Sequence, residues 1–138
     1  LMQKDVADRI VAIEGSAAVG AISTKIKLIS KVEKICDVSP TSFSPPPKVF
    51  SSIVLFRPLP QHLRLDIELE KCIDKILKVS FNGRRKKLKN TLSSLFSKKE
   101  FEELKHISNI NFDLRPQEIS IENWKFLAKC CTKIEKSR

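Results

Sequence analysis

Three consecutive prolines, Pro45 to Pro47, constrain the fold of this chain more than any other feature of its sequence. Each proline fixes its own φ angle and lacks an N–H group, so the run cannot lie inside a helix or a central strand. Phe43 precedes the run, and an apolar segment from Val49 to Arg57 follows it. The sequence therefore predicts a stiff loop over residues 39–47 that leads directly into a strand.

Two interpretations of Phe43 are open from the local sequence. The ring can be a hydrophobic plug beside the sheet, or the loop can hold it out to stack on an unstacked nucleobase. A stiff loop favours the second role, because stacking is productive only when the ring keeps its orientation.

The first part of the chain has the pattern of an α/β fold. Periodicity predicts helices over residues 2–13 and 21–32, with the second helix burying Ile22, Ile26 and Ile29, and then a short strand over residues 34–38. The strand over residues 49–57 is apolar on both faces, and such strands are usually covered on both sides. Two helices and two strands cannot supply that cover, so we interpret residues 1–58 as an α/β remnant, the carboxyl-terminal part of a larger domain.

The sequence of residues 59–138, which begins within the linker Pro58-Leu59-Pro60, predicts a small all-α domain. The first helix begins near Asp66 and is broken at Asn82 and Gly83, with Asn82 as the predicted N-cap of the next helix. Phe101 belongs to a short helix, and Ser120 caps the last one. The predicted core of that helix is Trp124, Leu127, Ala128, Cys131 and Ile134.

Positive charge is concentrated in one part of this helical region, although the whole chain has a formal net charge of +10. Between Asp74 and Glu100 there are no acidic residues and nine basic ones: Lys75, Lys78, Arg84, Arg85, Lys86, Lys87, Lys89, Lys98 and Lys99. A stretch of one sign creates a positive potential that suits a polyanion. The sequence predicts a partner of that kind.

Residues 84–89 place five cations at the predicted start of a helix, where the macrodipole favours negative charge. A bound phosphate would relieve this conflict, which predicts contact with an RNA or DNA backbone. The alternative is an ordinary solvated helix face. A third interpretation, a membrane-surface helix, is disfavoured because the apolar stripe is needed to pack the helical domain.

Several sites are disfavoured by composition. The chain has three glycines and no tyrosine, so it offers no glycine-rich nucleotide loop. His62 and His106 stand alone and the four cysteines show no metal-ligand spacing, so we predict no metal and reduced, mostly buried thiols. No segment is apolar enough to span a membrane. We expect a cytoplasmic monomer.

Four stretches together resemble the bacterial small-subunit ribosomal RNA adenine dimethyltransferases of the KsgA type. LMQKDVADRIVA is similar to the helix that follows that family's catalytic tetrapeptide, and DVSPTSFSPPPKVFSSIVLFRP resembles its phenylalanine-proline loop and strand. FNGRRKKLKNTLSSLF resembles its basic helix, and LRPQEISIENWKFLAK its last helix with a preceding arginine. One departure is VGAIS at residues 19–23, where the family usually has a Tyr-Gly-Arg-Leu-Ser type sequence, so this chain has Ala21 in place of that arginine.

The resemblance implies methyl transfer from S-adenosylmethionine to the exocyclic N6 of two adjacent adenines of small-subunit rRNA, twice on each, in the immature small subunit. It implies that Phe43 stacks on the target adenine. The implied RNA-binding residues are Pro45, Lys48, Arg84, Arg85, Lys86, Lys87, Lys89 and Arg115. In the family, the glycine-rich cofactor loop and an Asn-Leu-Pro-Tyr type motif precede the part seen here. This chain is therefore expected to be an inactive carboxyl-terminal fragment of an enzyme, with no cofactor-binding residue of its own.

Two related functions remain as alternatives. One is a non-catalytic nucleic-acid-binding protein related to mitochondrial transcription factor B, because a protein can keep the fold of an enzyme without its catalytic activity. The other is a large-subunit rRNA adenine methyltransferase that confers antibiotic resistance. The RRKxLxN pattern of residues 84–90 favours the small-subunit branch over both.

Overall fold

The computed structural model describes residues 1–13 and 15–138 and divides into two compact units. Unit 1 comprises Leu1–Ile13 and Ala17–Arg64, and unit 2 comprises residues 15–16 and Leu65–Arg138. The assignment of residues 1–58 to a methyltransferase domain and of residues 59–138 to an rRNA-binding domain stays a prediction.

Unit 1 contains a three-stranded antiparallel sheet and two helices among the residues the structure describes. Its elements in chain order are β1 Met2–Gln3, α1 Lys4–Ile10, α2 Ala21–Ile29, β2 Ser30–Val38 and β3 Ser51–Pro58. The strand order is β1-β3-β2, so β3 is central. Lys34 pairs with Val54 and Cys36 with Ile53, which leaves Ile35 as a bulge in β2. The short strand predicted over residues 34–38 is therefore a strand of nine residues.

The predicted extent and buried face of α2 were wrong. The helix ends at Ile29, and Ile22 is 73% exposed, whereas Ser23 and Thr24 are buried. These hydroxyls can be buried because both donate hydrogen bonds to the Gly20 carbonyl oxygen, at 3.0 and 2.8 Å. A pattern based on apolar residues misses buried polar side chains of this kind, because their hydrogen bonds are made at the start of the same helix.

Unit 1 does not cover β3 on both faces, as expected from its two helices and few strands. Ile53, Leu55 and Phe56 are all exposed, and Val49 and Phe50 just before the strand are each 49% exposed. The helices of unit 1 bury other residues of their own, including Ala7, Ile10 and Leu28. Much of the apolar surface of the central strand is therefore open to solvent.

Unit 2 is helical, as predicted. Its helices are α3 Ile67–Asn82, α4 Leu88–Thr91, α5 Lys98–Ser108 and α6 Ile121–Lys136, and α6 packs against α3 and α5. Asp66 caps α3 by accepting a 2.7 Å hydrogen bond from Leu69 N–H, and Ser120 caps α6 by accepting from Asn123 N–H at 3.1 Å. The predicted core of α6 is confirmed, since all five of its residues are buried: Trp124, Leu127, Ala128, Cys131 and Ile134.

All four cysteines are free thiols, and three of them are buried. Within the described ranges, no group of three or more His, Cys, Asp or Glu side chains is arranged to hold a metal ion. The helices of the same ranges include none with the length and apolar character needed to cross a bilayer.

Candidate nucleic-acid interface

The cations predicted at the start of a helix lie in a turn instead. Residues 84–87, which we call the basic turn, follow the end of α3, and α4 begins only at Leu88 with Lys87 as its N-cap. Asn82 is the last residue of α3, so its predicted role as the next N-cap was wrong. The hydrogen bond from Lys86 N–H to the Gly83 carbonyl oxygen closes a turn here, so the helix begins only after it. Of the five predicted cations, only Lys89 is in the helix.

Gly83 and Leu88 anchor the two ends of the basic turn. Lys86 N–H donates a 2.8 Å hydrogen bond to the Gly83 carbonyl oxygen, which closes the turn. A Cβ atom on Gly83 would lie 2.9 Å from Cγ2 of Thr91, closer than real Cβ contacts come, so glycine permits this approach. At the other end, the Leu88 side chain is fully buried. The charged residues between these anchors are all exposed.

A second segment of unit 2 runs beside the basic turn. Leu88 N–H donates to the Leu114 carbonyl oxygen at 2.9 Å, and Lys89 N–H donates to the Phe112 carbonyl oxygen at 3.0 Å. Arg115 is the next residue after Leu114 and is exposed. The fold therefore places Arg115 next to the basic turn, as one cationic surface built from two distant parts of the sequence.

Carboxylates of the described residues neutralise only part of this surface. Lys89 forms a 2.9 Å ion pair with Asp113, and this contact, helped by the charge of Lys87, lowers the pKa of Asp113. Arg85 and Lys86 have no carboxylate partner among the described residues. Lys89 is thus less available to an outside phosphate than its neighbours in the basic turn.

The Phe43 loop, residues 39–50, is a separate candidate site and lies in unit 1. Its start is a short 3₁₀ turn, Pro40–Ser42, capped by the Ser39 side chain. Phe43 N–H donates to the Pro40 carbonyl oxygen at 3.2 Å. The ring is half-buried and has no aromatic or cation contact among the described residues. It is therefore not a deeply packed plug.

The remainder of the Phe43 loop is open. The Ser44–Pro45 peptide is cis, and Pro45 and Lys48 are exposed. Lys48 has no ion-pair partner among the described residues. The loop ends at Val49 and Phe50, which line a cleft of about 560 Å³ together with Gln3, Lys4, Asp5 and Asp8.

Sequence reasoning missed a network of side chains at the base of this loop. Asp8 accepts hydrogen bonds from Lys4 at 2.9 Å and from Lys34 at 2.7 Å. Lys34 also pairs with Asp37 at 2.8 Å, and Ser52 donates to the same Asp37 oxygen at 2.6 Å. The residues come from three elements, α1, β2 and β3. Lys4 and Asp8 are four residues apart in one helix, but the contacts of Lys34 with Asp8 and of Ser52 with Asp37 join different elements and could not be read from the sequence. We call the five residues the Lys34 network.

Comparison with protein families gives one match over almost the whole chain. The model of the family described as ribosomal RNA adenine dimethylase matches residues 1–133. The ribosomal RNA small subunit methyltransferase A of Prochlorococcus marinus strain AS9601 is 60% identical over 136 residues, which are 99% of this chain and 50% of that protein. Its counterpart in Synechococcus sp. strain CC9902 is 39% identical over 129 residues, 94% of this chain and 47% of that protein. The chain spans about half the length of these relatives.

Solved structures share the fold. A dimethyladenosine transferase from Plasmodium falciparum matches with a TM-score of 0.75 and 26% identity, over 91% of this chain and 53% of that one. The 23S rRNA methyltransferase ErmE matches with a TM-score of 0.64 and 17% identity, over 93% of this chain and 51% of that one, and shows the fold alone. The small sheet and the helices described above are consistent with part of a methyltransferase fold.

Proposed function

The chain belongs to the ribosomal RNA adenine dimethylase family, and on this premise we propose that it is the carboxyl-terminal part of an rRNA adenine dimethyltransferase. The whole enzyme would use S-adenosylmethionine to dimethylate N6 of two adjacent adenines of small-subunit rRNA. It would act as a cytoplasmic monomer on the immature small ribosomal subunit. The observation that carries this proposal is the 60% identity, over 99% of the chain, to a protein named as a small subunit rRNA methyltransferase.

Unit 2 would bind the RNA through its phosphates. The basic turn and Arg115 present exposed cations side by side, and Arg85 and Lys86 have no carboxylate partner among the described residues. Phosphate contacts of this kind position a protein on RNA without reading its sequence. Lys89, which is paired with Asp113, would contribute less.

Unit 1 would position the target base. Phe43 is half-buried on a loop that begins with a capped 3₁₀ turn, and its ring has no aromatic neighbour among the described residues. Stacking on such a ring can hold an adenine whose N6 must leave the RNA helix to react. Pro45 and Lys48, exposed on the same loop, would contact the flanking RNA backbone.

The sequence of this chain offers the methyl donor no glycine-rich turn. S-adenosylmethionine supplies the methyl group, and nucleotide-like cofactors are commonly bound where a glycine-rich turn lets the backbone approach closely. A Cβ atom on Gly15 or Gly20 would meet nothing within 4 Å, and Gly83 packs against Thr91 in unit 2. We therefore assign no cofactor-binding residue to this chain.

A chimera tests the proposal. The amino-terminal half of the strain AS9601 relative, joined to this chain in place of its own carboxyl-terminal half, restores a full-length protein. We expect the purified chimera to transfer methyl groups from labelled S-adenosylmethionine to immature small subunits and to leave two adjacent dimethyladenosines, detected by mass spectrometry of the rRNA. The unsubstituted relative is the positive control.

Two results would contradict the proposal. A folded chimera that binds the subunit but transfers no methyl group, when the relative does, would favour the non-catalytic binding alternative. Saturable binding of S-adenosylmethionine to the 138-residue chain alone, measured by calorimetry, would contradict the assignment of the cofactor to another segment.

A further inference from the structure

The Phe43 loop leaves the sheet at a point that is fixed by side chains as well as by the strand ladder. Val38, the last residue of β2, pairs with Ser51, the first residue of β3, and Asp37 pairs with Ser52 one step further in. The Ser52 side chain is fully buried and its Oγ donates to Asp37 Oδ1 at 2.6 Å. The cross-strand pairing beside the loop is thus backed by a short, charge-assisted hydrogen bond.

Lys34 connects this pair to α1. Its ammonium group lies 2.8 Å from Asp37 Oδ1 and 2.7 Å from Asp8 Oδ1. Asp8 in turn accepts from Lys4 at 2.9 Å. The Lys34 side chain is only 24% exposed, so this contact with two carboxylates is better shielded from solvent than a surface ion pair.

The other end of the loop is attached to the same helix. Lys4, the first residue of α1, donates its backbone N–H to the Phe50 carbonyl oxygen at 2.9 Å. Between these two attachments, the turn that starts at Ser39 supplies backbone hydrogen bonds to the loop itself. That turn holds the start of the loop but does not tie it to α1. The direction in which the loop leaves the sheet therefore depends on the contacts at its base.

We propose that Lys34 and Asp37 are positioning residues for methyl transfer: with Asp8 and Ser52 they fix the base of the Phe43 loop against α1. The proposal rests on the proposed function, because it concerns the ring assigned to the target base. Neither residue touches substrate. They act by keeping the Phe43 loop in one orientation relative to the helix beside it, and small misplacements of a reacting group cost large factors in rate.

The Lys34 network lies where the Phe43 loop leaves the sheet, so its contacts do more than hold the sheet together. The sheet is already joined by the ladder from Ser30–Pro58 to Val38–Ser51. The Lys34 network adds contacts at the end of the sheet where the Phe43 loop departs. Loss of these contacts would loosen the loop before it would unfold unit 1.

Lys34→Met tests this, because it keeps most of the length of the unbranched side chain and removes its charged group. The matched control is Lys31→Met, which changes an exposed lysine of the same strand. In the chimera, we expect Lys34→Met to lower kcat by about 10- to 100-fold with less than a twofold change in KM for the subunit. Lys31→Met should change neither, and Lys34→Arg, which can still bridge two carboxylates, should recover most of kcat.

Hydrogen exchange of the 138-residue chain supplies a second readout that does not depend on catalysis. We expect Lys34→Met, or the milder Asp37→Asn, to speed exchange of the amides of residues 41–44 and 48–51 while the amides of α2 remain unchanged. Unchanged exchange in the loop would overturn the proposal whatever the activity shows. A kcat for Lys34→Met equal to that of Lys31→Met would overturn it as well. An inactive unsubstituted chimera would instead refute the proposed function, and the exchange result would then decide whether the network fixes the loop.

Discussion

The backbone N–H of Leu88 lies 2.9 Å from the carbonyl oxygen of Leu114 and donates a hydrogen bond to it. Leu88 follows the basic turn and Leu114 precedes Arg115, so this bond brings Arg115 next to the cations of the basic turn. The buried Leu88 side chain fixes the same point from within the core. The candidate RNA surface is therefore a product of the fold of unit 2, and not of one run of basic residues.

Arg115 should for this reason bind RNA together with the basic turn. We expect Arg115→Ala to reduce the slope of log K against log salt concentration, for a structured fragment of small-subunit rRNA, by about one. Lys129→Ala removes an exposed charge elsewhere in unit 2 and should have a smaller effect. Equal slopes for the two variants would place Arg115 outside the interface.

The basic turn should contribute most of the electrostatic affinity. We expect the triple substitution of Arg84, Arg85 and Lys86 by alanine to lower the same salt slope by about two, because up to three phosphate contacts are lost. The measurement is fluorescence anisotropy of the chain with labelled RNA at several salt concentrations.

A second triple variant controls for net charge. Lys71, Lys129 and Lys136 are lysines of α3 and α6 outside the basic turn, and their replacement by alanine removes the same charge. If both triple variants lower the slope equally, the RNA responds to the overall charge of the domain and the basic turn is not a defined contact site.

Gly83 should be required for the shape of the basic turn. A Cβ atom at this position would lie 2.9 Å from Thr91 Cγ2, on a β-branched side chain that cannot easily move. We expect Gly83→Ala to destabilise the chain by about 1–3 kcal/mol, as overpacking does, measured by thermal unfolding. Thr91→Ser removes the clashing methyl group, so the double variant should regain most of that loss relative to Thr91→Ser alone. No recovery in the double variant would refute the steric explanation.

The pairing of Glu100 with Arg138 should make unit 2 sensitive to acid. The hydrogen bond from Arg138, followed by that from the Ser97 backbone, lowers the pKa of Glu100 to about 2. A carboxyl group whose pKa is lowered on folding stabilises the native state above its unfolded pKa, and this contribution is lost as pH falls towards the folded pKa. We expect the wild-type chain to lose more stability between about pH 5 and pH 2 than Glu100→Gln, measured by chemical unfolding.

Glu102→Gln is the matched control for this pH dependence. Glu102 lies on the same helix, its side chain is 65% exposed, and its pairing with Lys105 is at the surface. Surface pairs contribute little to stability, so this variant should follow the wild-type curve. A Glu100→Gln curve parallel to that of the wild type would show that the Glu100 carboxylate does not contribute in this way.

The helices of unit 2 could be predicted because their signals are local. In α3 and α6 the apolar residues recur at helical spacing, and Asp66 and Ser120 supply the caps at the expected positions. The break after Asn82 was equally visible, since Gly83 ends the pattern. These features need no knowledge of the rest of the fold.

Unit 1 was harder to predict because tertiary contacts decide its details. The buried face of α2 carries Ser23 and Thr24, whose hydroxyls are satisfied at the helix start. The basic turn of unit 2 resembled a helix in sequence because its cations lie next to the apolar residues of α4. The Lys34 network as a whole was invisible, since the Lys34–Asp8 and Ser52–Asp37 contacts form only when α1, β2 and β3 come together.

The measurement that tests the central claim most directly is the effect of Phe43→Ala in the chimera on methylation and on RNA binding, in parallel. Stacking of an aromatic ring on a base contributes about 1–3 kcal/mol, so we expect the methylation rate to fall about 5- to 150-fold, while the affinity for the small subunit changes less than about twofold. Phe126→Ala, which removes an exposed ring of unit 2, should leave the methylation rate unchanged. Equal losses of methylation and binding, or no loss of methylation, would contradict the role of Phe43 as the ring that holds the target adenine.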